Sequence, residues 1–222
     1  MARDLPVLGA ALTLDMLAFN RDWVLSAPRD VELESFALAH VLNGDLAAPI
    51  ARAKALLDGH TGRLGLHGPY IGFAIDCPDP DIALIVRHRL LQCLGVCEAL
   101  GADQMVIHSP VTTWDHFNHA TDPVQRGSQI ERVRYILGPV LQRAEAAGIV
   151  LVLENIEDID PAARGALADA LASPALALSL DTGHAHYAHV TTGAPPVDAF
   201  VHAAGARLRH VHLQDADGHA DR

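Results

Sequence analysis

Along the 222 residues, short apolar runs alternate with longer stretches whose apolar residues recur at helical spacing. The runs Val7–Leu14, Val31–Phe36, Arg63–Gly68, Gln104–Ser109, Ile149–Asn155, Ala175–Asp181 and Arg207–Leu213 predict seven buried strands. Between them the pattern predicts helices, most clearly over Asp45–Asp58, Asp79–Leu100, Asp122–Ala147, Pro161–Ala172 and Pro196–Ala206. Asp or Pro opens several of these, and Gly59, Gly101, Gly148 and Gly205 fall where helices should stop. Strand followed by helix, repeated over the whole length, is the signature of βα units on a parallel sheet. No Ser/Gly-rich or charged run suggests a linker, so residues 1–222 are expected to form a single domain around one large core.

Polar residues cluster where the strands stop. The third run ends in His67-Gly68-Pro69-Tyr70, the fourth in His108-Ser109-Pro110, the fifth in Glu154-Asn155 and the sixth in Asp181-Thr182-Gly183-His184. The seventh carries His212, with Gln214 and Asp215 just beyond it. In a (β/α) barrel the C-terminal strand ends converge on one face, which makes neighbours of residues far apart in sequence. Packing accounts for any one such histidine, but a ligand-type side chain on five successive strand ends argues for a site. The clearest stretch is LALSLDTGHAHYAH, Leu176 to His189. Its alternating leucines read as a buried strand, and a positive φ at Gly183 would turn Asp181 and His184 toward one point, a pairing that suits a divalent metal. The same residues also allow Asp181 to cap a following helix, with His184 a loop histidine.

Composition removes several classes of function. The formal net charge of −11 leaves no basic face for a phosphate backbone, so nucleic acid is not an expected partner. Lys54 is the only lysine and sits in a predicted helix, which excludes Schiff-base chemistry. Cys77, Cys93 and Cys97 read as reduced residues, two of them four apart in an apolar helical run. The apolar start, Val7 to Leu14, is bracketed by Asp4 and Asp15 and reads as a strand rather than a signal peptide. No apolar stretch approaches the roughly 20 residues of a membrane span, and a cytoplasmic location is expected. No GxGxxG, phosphate-cradling glycine loop or GxSxG elbow is present, so neither a nucleotide cofactor nor a serine hydrolase is indicated.

The motifs LHGPY, VIHSP, LVLENIED, LSLDTGHAHYA and HVHLQDADG resemble, in order and spacing, those of the xylose isomerase-like TIM-barrel superfamily. That group includes sugar epimerases, hydroxypyruvate isomerases, inosose dehydratases and metal-dependent AP endonucleases. The resemblance covers nearly the whole chain and implies an α/β fold of the (β/α)8 TIM-barrel type, with seven strands legible here. It also implies a divalent metal held by Glu154, Asp181 and His212, with His184 beside it as a catalytic, substrate or second-metal contact. His67 and His108 match positions that bind additional metals in the endonuclease branch and line the substrate pocket in the sugar branch. In the family an Asp-Arg-His motif follows the seventh strand, whereas this chain ends at Asp221-Arg222. The expectation is a chain truncated relative to the family, without the eighth strand and its glutamate, or one whose open edge a neighbouring copy covers in a homo-oligomer.

Oxygen and imidazole ligands without thiolate suit manganese, the first choice, or magnesium, cobalt or zinc. In the sugar branch the ion would bind a carbonyl and the adjacent hydroxyl, with Glu154 as ligand and proton carrier together. The implied reaction is isomerisation or epimerisation of a small sugar or hydroxy-carbonyl compound through an enediolate. The segment Val111 to Thr121 reads as a loop, and its Trp114, His116, Phe117 and His119 suit a cover over a sugar or a surface anchor. Tyr70 and Tyr187 are further candidates for the pocket, while Glu32 and Glu34, two apart on one strand face, fit a structural role. Two other functions fit the same residues: a metal-dependent phosphodiesterase on abasic DNA, which the acidic charge opposes, and a non-catalytic barrel that keeps the fold.

Overall fold

The computed structural model describes residues 7–220. Among them seven strands form one sheet in chain order. These are β1 (Ala10–Leu12), β2 (Val31–Leu33), β3 (Leu64–His67), β4 (Gln104–His108), β5 (Val150–Glu154), β6 (Leu176–Asp181) and β7 (Leu208–His212). The pairs β1–β2, β2–β3, β5–β6 and β6–β7 are parallel. The helices are α1 (Leu14–Phe19), α2 (Arg21–Leu25), α3 (Ala39–Leu42), α4 (Ala47–Leu56), α5 (Pro80–Leu100), α6 (Thr113–His119), α7 (Pro123–Ala147), α8 (Ala163–Leu171), α9 (Thr182–Thr192) and α10 (Val197–Ala204). Every strand expected from the sequence is present, and no eighth is seen among the described residues. Asp221 and Arg222, where the family motif breaks off, lie outside them.

The first two strands stop sooner than their apolar runs, and capping explains both. Thr13 accepts the Met16 N–H and starts α1 at Leu14, which ends β1 at Leu12. Ser35 opens a 3₁₀ turn after β2, and its hydroxyl accepts the Leu14 N–H at 2.9 Å. Glu34 therefore lies past the strand rather than beside the buried Glu32 on one face. The long helices begin as their sequences indicate: the Asp79 carboxylate accepts N–H groups of α5, and Asp122 caps α7 ahead of Pro123.

The chain divides into two compact units. One joins the N-terminal segment as far as Ile71 with Arg89–Met105. There β2 is buried at all three positions, as expected of a parallel strand covered on both faces. Leu33, Phe36, Leu66, Leu90, Cys93 and Leu94 belong to its core, and Arg63 links β3 to its neighbours through Asp30 and Gln104. All three cysteines are free thiols, Cys93 and Cys97 fully buried.

The other unit joins Gly72–His88 with the chain from Val106 onward. Its strands β5 and β6 are almost wholly buried, and Phe200 of α10 packs with Leu180, Ala185 and Ala188 beneath α9. Strand β7 differs, alternating half-buried and exposed residues. Leu178 pairs with Leu208 but Ser179 with His210, so Arg209 is an extra residue on β7, and this bulge sets Asp181 directly opposite His212.

Helix ends in this unit differ in how well their residues suit them. Gly148 ends α7 with φ 70°, a left-handed conformation that glycine adopts without steric cost. Ala172 ends α8 with φ 51° and does bear that cost. Ala172→Gly is expected to stabilise the protein by about 0.5–1 kcal/mol in chemical denaturation. A loss of stability would show that the alanine methyl contributes more than the strain costs.

Candidate metal centre

Three neighbouring strands end in a potential ligand: β5 in Glu154, β6 in Asp181 and β7 in His212. The register pairs Asp181 with His212, which stands their side chains next to each other at the sheet edge. Beyond the last rung the ladder is continued by side chains. Asn155 donates from Nδ2 to the Asp181 carbonyl and accepts the Asp181 N–H at Oδ1, both at 2.9 Å, so its amide acts as an extra peptide joining β5 to β6. Thr182 ties β6 to β7 in the same manner, its hydroxyl lying 3.2 Å from the His212 carbonyl and accepting the Gln214 N–H at 3.1 Å.

Asp181 does two things at once. Its Oδ1 accepts the His184 N–H at 2.7 Å and caps α9. Its Oδ2 is buried and finds no hydrogen-bond donor among the described residues. The helix begins at Thr182, so Gly183 has a helical backbone and not the positive φ expected from sequence. Glycine eases a close approach there: a Cβ would sit 3.2 Å from both Asp181 Oδ1 and Gln214 Cγ, so those side chains would have to give by a few tenths of an ångström.

Around that oxygen the other groups gather. His212 Nδ1 lies against Glu154 Oε1 and 3.9 Å from Asp181 Oδ2. His108 Nε2 is 3.4 Å from Glu154 Oε2, so the two carboxylate oxygens of Glu154 face two different imidazoles. Glu154, Asp181 and His184 each offer a ligand atom, all within 4.8 Å of one another. His184 donates Nδ1–H to the Asn155 carbonyl at 2.9 Å, which in the neutral ring places the lone pair on Nε2. The two carboxylate side chains are 1% exposed, while the imidazoles of His108, His184 and His212 are 19–22% exposed. Burial raises the Asp181 pKa above the ordinary carboxylate value, the His184 amide hydrogen bond opposes that rise, and Glu154 adds to it.

Two buried carboxylates that share a space with imidazole nitrogens form a set that a divalent cation fits. The orphaned Asp181 Oδ2 is the observation that tests this, since ion coordination is the ordinary way to satisfy such an atom.

Of the remaining sequence candidates, His67 ends β3, buried, with Nδ1 on the Gly68 carbonyl and its ring 4.7 Å from Tyr70. Trp114 lies not in a loop but on α6, because Thr112 and Asp115 form a capping box that starts a helix. On that helix Trp114 and Phe117 are 68% and 67% exposed, so neither is packed into the strand-end group. Asn155 was not singled out as a site residue by sequence reasoning, and its place directly after Glu154 on a strand end is the signal that could have found it.

Residues 30–222 match the sequence profile described as xylose isomerase-like TIM barrel. The chain belongs to that family. Its seven parallel strands and intervening helices are of the α/β TIM-barrel type. Among solved members of this fold, the TTHB071 protein from Thermus thermophilus, soaked with ZnCl2, is 26% identical with a TM-score of 0.74 over 98% of this chain and 81% of that one. The 3-keto-D-glucoside 4-epimerase from E. coli has a TM-score of 0.68 at 16% identity, covering 94% of this chain and 78% of that one. D-allulose 3-epimerase from Methylomonas sp., in complex with D-allulose, has 0.63 at 17%, covering 94% and 72%. No curated protein matches the chain. No helix among the described residues is long and apolar enough to cross a membrane.

The raised pKa of Asp181 has a defined sign in stability. A carboxyl whose folded pKa exceeds the unfolded one costs stability while ionised, and the cost fades as pH falls through the folded value. Asp181→Asn keeps the capping oxygen and removes the charge. Without divalent ions at neutral pH it should melt higher than wild type by roughly 2–4 °C, for a gain of about 1 kcal/mol, and the gap should narrow on acidification. An equal or lower melting point would mean that Asp181 bears no net cost in the metal-free protein.

Proposed function

We propose that the protein is a divalent-metal-dependent isomerase or epimerase of a small sugar or hydroxy-carbonyl compound. The observation that carries this reading is that Glu154 and Asp181 lie together, with His212 Nδ1 against Glu154 Oε1 and 3.9 Å from Asp181 Oδ2, a buried oxygen with no hydrogen-bond donor among the described residues. Support also comes from the family and from solved structures of the same fold, among them a 3-keto-D-glucoside 4-epimerase and a D-allulose 3-epimerase. Glu154, Asp181 and His212 would hold the ion, manganese by first choice, with magnesium, cobalt and zinc also compatible with the donor set. When bound, the ion supplies Lewis-acid polarisation of the substrate's carbonyl and neighbouring hydroxyl.

The chain's own residues do the rest. Glu154 takes the proton from the hydroxyl-bearing carbon next to the carbonyl and, for isomerisation, delivers it to the neighbouring carbon, whereas epimerisation needs a second acid on the opposite face of that carbon. A carboxylate beside a cation is a weak base, so the acidified C–H must meet it part-way. His108 at 3.4 Å from Glu154 Oε2 is placed to relay a proton. His184, with Nδ1 committed to Asn155, presents its lone pair at Nε2 to a substrate hydroxyl. Trp114 on α6 is a proposed contact to the apolar parts of the sugar.

A second reading has one observation in its favour. Glu154, whose oxygens face His108 on one side and His212 on the other, would help to hold two ions rather than one, which would supply two-metal phosphodiesterase chemistry. The net charge of −11 weighs against a DNA substrate.

Two measurements separate these. Elemental analysis of the purified protein should give one divalent ion per chain, whereas two or more would favour the phosphodiesterase. With an accepted ketose in heavy water, wild type should wash deuterium into the substrate, and Glu154→Gln should slow that exchange by about 10²–10⁴-fold. Undiminished exchange in the variant would remove Glu154 from proton transfer.

A further inference from the structure

A buried guanidinium lies behind the site. Arg164, in the first turn of α8, is 0% exposed. Its Nη1 donates to the Leu153 carbonyl at 2.9 Å and to the Ser179 carbonyl, which ties together the last turns of β5 and β6. Its Nε is 3.4 Å from Asp158 Oδ1. Asp158, itself 1% exposed, accepts the Ser109 hydroxyl at 3.0 Å and the Ile156 N–H at 3.1 Å. Ser109 in turn donates its N–H to the Glu154 carbonyl at 2.8 Å and directly follows His108. One guanidinium–carboxylate pair therefore reaches the ends of β4, β5 and β6, the strands that deliver His108, Glu154 and Asp181.

Stability alone does not explain this arrangement. Nη2 of Arg164 is buried and finds no acceptor among the described residues. A cation in the first turn of a helix opposes the helix dipole, and α8 has no side-chain cap to offset it. Fully buried ion pairs are seldom net stabilising when compared with apolar packing of the same volume. Burial also pushes the Asp158 pKa up to about 6, against the pull of Arg164, so the pair is held at a cost in the ionised state. The electrostatic reach of Arg164 extends to Glu154 as well as Asp158, which places a positive charge behind the ligand carboxylate.

We propose that Arg164 and Asp158, linked through Ser109, are positioning residues: a buried strut that fixes the ends of β4, β5 and β6 at ligand spacing. The proposal rests on the metal reading of the site. It assigns no contact with substrate or ion to any of the three residues.

Zinc affinity, measured by calorimetry at neutral pH well below the melting point, tests it without any turnover. Arg164→Met and Asp158→Asn should each bind about 10–100-fold more weakly than wild type, the range usual for residues that orient ligands from behind. Arg164→Lys, which keeps the charge, should recover part of the loss, and Ser109→Ala should lose less than either. In the double variant the loss should equal that of the worse single change. Asp169→Ala, also on α8, removes an exposed ion pair with Arg207 and should leave affinity unchanged. If Arg164→Met does not fold, Asp158→Asn and Ser109→Ala carry the comparison. Variants that melt lower yet bind zinc as tightly as wild type would overturn the strut and leave the metal site standing. Wild type that takes up no divalent ion would overturn the metal reading, and the strut with it.

Discussion

Two carboxylates on neighbouring strands are buried side by side, and the structure around them is arranged to bear that cost. Glu154 and Asp181 sit where β5 and β6 end, each 1% exposed, with no water-facing side to relieve their charge. Parallel strands impose this proximity, because adjacent strands bring their C-terminal residues to one place. Repulsion and desolvation then act together, as the raised pKa of Asp181 records. The compensating features are local: the amide of His184 on one oxygen of Asp181, His212 against Glu154, and Arg164 from behind. Asp181 Oδ2 still has no hydrogen-bond donor among the described residues, and a cation at that point would turn the main electrostatic cost of the site into its main attraction.

Rigid placement matters as much as charge. A divalent ion selects ligands by tenths of an ångström, whereas a strand end left to itself frays. Here each end is fastened by a different device. Asn155 extends the ladder between β5 and β6, Thr182 bridges β6 to β7, and the bulge at Arg209 sets the register that faces Asp181 with His212. The cap on α9 fixes Asp181 further, since one oxygen is committed and only the other is left to face the site.

The strands and their ends were legible because periodicity and turn residues are local signals. All seven strands lie within their apolar runs, and Glu154, Asp181 and His212 end them as expected. Capping was harder to read. Thr112 and Asp115 turned an expected loop into α6, and Asp181 proved to be both a helix cap and a candidate ligand, two readings that had stood as alternatives. The long-range partners were not legible at all. Arg164 stands in a helix of small residues and Asp158 in a polar turn, and nothing in their spacing shows that they meet under the strand ends. Asn155 is intermediate: it follows Glu154 directly, but its pairing with Asp181, 26 residues on, is a property of the sheet.

The central claim is that Glu154, Asp181 and His212 hold a divalent cation. Crystals soaked in zinc and measured at the zinc absorption edge test it directly, because the anomalous signal locates the ion without reference to any activity. The expected result is a peak about 2.0–2.2 Å from a carboxylate oxygen of Glu154, from Asp181 Oδ2 and from His212 Nδ1. Fully soaked crystals with no peak at that point, or with zinc bound only elsewhere on the chain, would contradict it.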